Sequence, residues 1–186
     1  MNELLLYRIS AAVGGLLLLV VAGWTLRLSP GNLARFEPWP RNRLGGLLLG
    51  WVALGLCVSH AQVVSPGFLQ PLLWPLAVIV PVLSYFFLDY LLARAVGGVM
   101  ILWAYYLVHE SFNVHAAGTP VLALLAWIFG FGGIWVSGRP CALRDWIRLC
   151  CGKPHWRWAS AGFLILLAAA MLAAAMLAAA ALTGGR

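Results

Sequence analysis

Six times along its length the chain runs for seventeen residues or more with hardly a charge, and this recurrence limits the fold more than any other feature. The runs cover about Ile9 to Leu26, Leu44 to Val63, Leu72 to Leu88, Tyr90 to His109, Thr119 to Val136 and Trp158 to Leu182. Arg94 is the only Asp, Glu, Lys or Arg inside them. At about 1.5 Å rise per residue, eighteen helical residues cover about 27 Å, roughly the hydrocarbon thickness of a bilayer. The sequence therefore predicts an all-α, polytopic integral membrane protein of six transmembrane helices forming a single transmembrane domain over residues 1–186. The stretch Tyr85–Arg94 is its middle turn, with three spans on either side.

Composition excludes the soluble alternative. The chain is 63% hydrophobic and 9% charged, with a mean hydropathy of +0.94, whereas about 25% of an average soluble domain is charged. The runs use almost the whole length, so any chemistry must lie in the helices or in short loops. The start, Met1-Asn2-Glu3-Leu4, lacks a basic n-region and no small-x-small cleavage site follows, so the first span is expected to stay in the mature protein.

The connections carry their own signals. Pro30, Pro38 and Pro40 forbid a continuous helix through the first loop, where Trp39 suits the headgroup level. Gly46-x-x-x-Gly50 has the spacing that lets another helix approach closely. Ser65-Pro66-Gly67 turns the chain into a third span that Pro75 and Pro81 should kink. Asp89 is placed to cap a fourth helix beginning at Tyr90; the alternative puts the turn at Gly97-Gly98. Thr119-Pro120 reads as an N-cap with proline at the first helical position.

Two segments near the end stand apart. Leu143, Trp146, Ile147 and Cys150 recur at helical spacing opposite Arg144, Asp145 and Arg148, which predicts a short amphipathic helix in the membrane interface. From Ala168 to Leu182 the chain repeats Ala-Ala-Ala-Met-Leu with a period of five. That period does not match the helical turn, so the repeat is expected to span without marking a packing face.

Eleven of the twelve basic residues are Arg, only Lys153 being Lys, and with the Ala, Gly and Leu richness this fits a GC-rich bacterial genome. Ten of the twelve (Arg27, Arg35, Arg41, Arg43, Arg94, Arg139, Arg144, Arg148, Lys153 and Arg157) border the first, third and fifth loops, whereas Arg8 and Arg186 border the others. The positive-inside rule then puts those loops in the cytoplasm and both termini on the exoplasmic side of a bacterial inner membrane. Basic residues confined to loops predict contact with anionic lipid and no nucleic-acid partner.

Three constellations are candidates for chemistry. On the exoplasmic side, His60 with Ser59 and Gln62 ends the second span, and Tyr106, His109 and Glu110 share a face near the end of the fourth, followed by His115. Two imidazoles at one depth can ligate haem, hold a metal or hydrogen-bond a quinone. Histidine, tyrosine and glutamate at a helix end also serve simply as interfacial residues.

On the opposite side, Cys141, Cys150, Cys151 and His155 offer thiolate and imidazole donors. Their spacing lacks the C-x2-C to C-x4-C pairing of structural zinc sites, so free thiols are expected and no metal. Asp89 and Arg94, five apart, would face about 140° away from each other on one helix. They are expected to cap and to snorkel, or to tie to a loop residue such as Arg41, Arg43 or Asp145.

No phosphate loop, H-E-x-x-H or G-x-S-x-G occurs, and no carboxylate pair is placed for acid–base work. No cofactor is specified. The sequence points to a non-enzymatic small subunit or accessory of a membrane assembly, paired with another membrane protein or with a second copy. A redox protein using His60 and His109 and a small transporter opened by the Pro75 and Pro81 kinks are the alternatives.

Overall fold

The structure, a computed structural model, describes residues 2–113 and 119–183, and every regular element among them is helical. The longer helices are α1 Asn2–Leu26, α2 Arg43–Val64, α3 Gln70–Phe87, α4 Leu91–Asn113, α5 Thr119–Gly138, α6 Cys141–Gly152 and α7 Pro154–Thr183. Three short turns, Pro30–Asn32, Leu33–Phe36 and Trp39–Arg41, fill the proline-rich loop between α1 and α2.

Among the described residues five helices are long and apolar enough to cross a membrane: the stretches Arg8–Leu26, Gln70–Phe87, Leu91–His109, Pro120–Gly138 and Pro154–Met176. In α2 the side chains of Ser59 and His60 lie outside the described residues, and the described stretch Arg43–Val58 is shorter than these five. The helices group into two compact units. One comprises Met1–Leu33, Trp103–Gly130 and Ile147–Arg186; the other comprises Ala34–Leu102 and Phe131–Trp146.

In the first unit α1 packs along α7. Lipid is as apolar as leucine, so helices in a membrane gain by close backbone approach and dispersion rather than by escaping water. Small residues accordingly line the contact. A Cβ on Gly14 would run into the Trp103 indole, and one on Gly15 would stand 2.7 Å from Cγ of Leu172.

On α7 the buried residues are Ala161, Leu167, Ala168, Met171, Ala174 and Ala175, while Leu166 and Met176 face outward. The alanine repeat therefore does have a packing face, contrary to the expectation from its period. An all-small sequence offers many faces, and α1 selects the one whose residues recur at three and four.

In the second unit the Gly46-x-x-x-Gly50 spacing is used unequally. A Cβ on Gly46 would stand 2.5 Å from the backbone nitrogen of Leu92, whereas one on Gly50 meets Pro81 at an ordinary 3.6 Å. Helix α3 runs through both prolines, and the Trp51 indole donates to the Val78 carbonyl at 3.2 Å in the turn before Pro81.

Gly97 lies inside α4 rather than in a turn, so the turn between the third and fourth spans falls at 88–90. Helix α4 begins at Leu91, and Tyr90 before it takes a left-handed backbone with φ of 57°. Asp89 thus stands one residue further out than a cap for a helix starting at Tyr90.

Candidate functional site around Tyr90

Several polar side chains meet at the turn that joins α3 to α4. A non-glycine residue with positive φ costs about 1–2 kcal/mol and persists only where its surroundings fix it. Tyr90 is fixed by its phenol. Arg41, at the end of the first loop, donates from Nη2 to the phenol oxygen at 2.8 Å. Arg144, in the first turn of α6, donates from Nη1 to the same oxygen at 2.9 Å. The Arg41 guanidinium also lies over the phenol ring, its Cζ 4.7 Å from the ring centroid, and that of Arg144 is at 5.9 Å.

Local sequence explains how these groups meet. Asn42 caps α2, its side-chain oxygen accepting from the Gly45 amide at 3.0 Å, so Arg41 and Arg43 flank a fixed helix start. Gly46 then lets α2 lie against the backbone of Leu91 and Leu92, which brings Arg41 to Tyr90. Helix α6 starts just beyond Arg139-Pro140 and presents Arg144 after a single turn.

Two carboxylates border the pair of cations. Asp89 lies 3.5 Å from Arg43 and Asp145 lies 3.3 Å from Arg144. Both contacts are longer than the 2.7–2.9 Å of a tight charge-assisted bond, and Asp89 is 85% exposed, so they add little to stability. The hydrogen bond to Asp145 pushes the Arg144 guanidinium up, against the opposing effect of burial. The Arg144 Nε is buried without a hydrogen-bond partner.

Arg94 makes no part of this group. It donates from Nη1 to the Ser137 carbonyl at 3.1 Å, and the Ser137 hydroxyl donates back to the Arg94 carbonyl at 3.4 Å. This reciprocal pair clamps α4 to α5 where Gly97 and Gly133 meet. Asp89, of the two, is the one beside an arginine, Arg43 at the first position of α2.

The other candidate residues are placed as follows. Tyr106 is half-buried and His109 exposed near the end of α4, and the ring next to His109 is that of Tyr105, with centroids 5.7 Å apart. His60 belongs to α2, but its side chain, like that of Glu110, lies outside the described residues, as does all of His115.

Cys150 and Cys151 are buried on α6, where the Cys150 thiol donates to the Ser160 hydroxyl at 3.6 Å. Burial pushes both thiols up. Cys57 and Cys141 are half-buried and His155 is exposed. Among the described residues no three His, Cys, Asp or Glu side chains gather as metal ligands.

Sequence reasoning missed Tyr90 as a centre, reading it as the first residue of a span. It missed Arg157 as well, whose Nη1 donates to the Leu28 carbonyl at 2.6 Å and ties the end of α1 to the start of α7. Neither contact has a local signature. The one hint for Tyr90 was an aromatic phenol beside an acid in a turn whose neighbouring loops are rich in arginine.

Compared with family models, curated proteins and solved structures, the chain matches none of them. The fold places the chain in the class of all-helical proteins with several helices long and apolar enough to cross a membrane.

Proposed function

We propose that the chain is a six-span bacterial inner-membrane protein, with α2 as the sixth span and both termini exoplasmic, that acts without catalysis of its own as a small subunit or accessory of a membrane assembly. The observation that carries this reading is the poor cover on α3. Only 11% of its span is buried within the chain, against 28–33% for the other four spans.

Its outward residues include Trp74, Val78, Phe86 and Phe87, an apolar face that nothing among the described residues covers. The Tyr90 group supports a non-catalytic role, since guanidiniums, a phenol and loosely paired carboxylates hold no nucleophile poised against a base.

Gentle purification in detergent, with a photo-crosslinking residue at Val78 or Phe86 and a control at Leu166 on α7, tests the reading. A colourless protein cross-linked at stoichiometric yield from α3, and not from Leu166, to one membrane partner or to a second copy is the expected result. A protein that arrives alone and cross-links nowhere overturns it. A Soret band lost in His60→Ala or His109→Ala would replace it with a haem protein. Accessibility of single cysteines introduced beside Arg41 and Arg139, assayed from each side of the membrane, checks the orientation.

A further inference from the structure

We propose that the Arg41–Tyr90–Arg144 group is a binding site for the phosphodiester headgroup of an anionic phospholipid. The inference stands on the site alone and does not depend on the accessory role.

Converging donors carry the inference. Two guanidiniums donate to one neutral phenol oxygen, which occupies both of its lone pairs. The phenol must then direct its own O–H elsewhere, and no described residue accepts it within hydrogen-bond reach. Each guanidinium carries five N–H donors. The bond to Tyr90 takes one from each, and Arg144 spends a second on Asp145.

Donors of three side chains therefore converge, and the acceptor that the two guanidiniums share is an uncharged phenol oxygen rather than an anion. The charge points the same way. Arg41, Arg43 and Arg144 stand against Asp89 and Asp145, so the group keeps a cationic excess. Its cations repel one another across Tyr90 until an anion lies between them. A phosphodiester presents two anionic oxygens, which match one fork from each arginine or one fork and the phenol hydroxyl.

Position selects the lipid over a soluble phosphate. Tyr90 follows the exposed apolar residues Phe86, Phe87 and Leu88 at the end of α3, where a spanning helix passes into a basic loop. A ligand with a phosphate and acyl chains meets both surfaces, whereas free phosphate meets only the first. Snorkelling arginines on a bare surface would attract anionic lipid diffusely. The phenol fixes two of them at one point, which makes the attraction specific.

Native mass spectrometry of the full chain released from nanodiscs of phosphatidylglycerol and phosphatidylcholine in equal parts reads retained lipid directly. The expected result is preferential retention of one phosphatidylglycerol. That preference should fall about tenfold in Arg41→Gln and in Arg144→Gln, the factor that corresponds to one charge-assisted hydrogen bond. It should fall less in Tyr90→Phe, which keeps the ring and removes the hydroxyl.

Arg27→Gln, at an exposed position outside the group, should leave it unchanged, and Arg41→Lys should restore only part because a point charge lacks the fork. Equal retention of both lipids by the unaltered protein overturns the site, as does a preference indifferent to Arg41→Gln and Arg144→Gln. Displacement of the lipid by millimolar inorganic phosphate overturns the lipid assignment and leaves a soluble anion as the ligand. Because the unaltered protein alone gives a decisive result, a variant that fails to fold does not shield the proposal.

Discussion

Gly97 and Gly133 lie backbone against backbone: a Cβ built on Gly97 would stand 2.7 Å from the Gly133 carbonyl oxygen, and one on Gly133 would stand 2.6 Å from the Gly97 carbonyl oxygen. No side chain can be added at either position without moving a helix. The contact fixes where α4 crosses α5, and with it the reciprocal pair of Arg94 and Ser137.

Replacing Gly97 by Ala should therefore lower stability by about 1–3 kcal/mol, the usual cost of overpacking a close contact. Gly98, its neighbour in the chain, has open space where a Cβ would stand. Gly98→Ala should be neutral or slightly stabilising through helix propensity. Thermal melts of the two variants in the same detergent check the contrast, and equal behaviour would contradict the crossing.

The two glycines of the Gly46-x-x-x-Gly50 spacing should also behave differently. Gly46→Ala meets the backbone of Leu91 and Leu92, which cannot rotate away, whereas Gly50→Ala meets Pro81 at van der Waals distance. Only the first should reduce the melting temperature. It should also weaken the lipid preference argued above, because α2 carries Arg41 to Tyr90.

Arg157→Met removes the donor from the Leu28 carbonyl while keeping most of the stem. A buried carbonyl left without a partner costs about 1–3 kcal/mol, and Leu28 is fully buried. The expected outcome is a destabilised junction between α1 and α7, read as a lower melting temperature and as earlier proteolysis in the segment 27–33. Arg157→Lys should recover part of the loss.

Burial pushes the Cys150 and Cys151 thiols up, so little thiolate is present in the folded protein at neutral pH. Their alkylation should be slow at pH 7 and should quicken by about tenfold per pH unit beyond the ordinary thiol range near 8.5. In unfolded protein the rate should level off there. The sign for stability follows. Burial favours the neutral thiol, so this contribution is complete below the unfolded thiol value and is lost as pH rises through the folded one. Mass mapping of alkylated peptides from folded and denatured samples measures the difference.

The sequence by itself determined that the chain is helical and apolar in long runs, because neither backbone amides nor charged side chains tolerate lipid without internal partners. It determined that α6 is amphipathic, since Ile147 and Cys150 recur at helical spacing opposite Asp145 and Arg148. The turn between the third and fourth spans was legible from Asp89, within one residue.

Tertiary structure alone decided which faces meet. The alanine repeat of α7 offers many equivalent faces, and only the presence of α1 makes Ala168, Met171 and Ala175 the buried ones. The Tyr90 group joins residues 41, 90 and 144, and Arg157 reaches back to Leu28. Local spacing encodes a residue's place on its own helix, but contacts over such separations depend on how close two backbones can come, and that is set by glycines whose partners the sequence does not name.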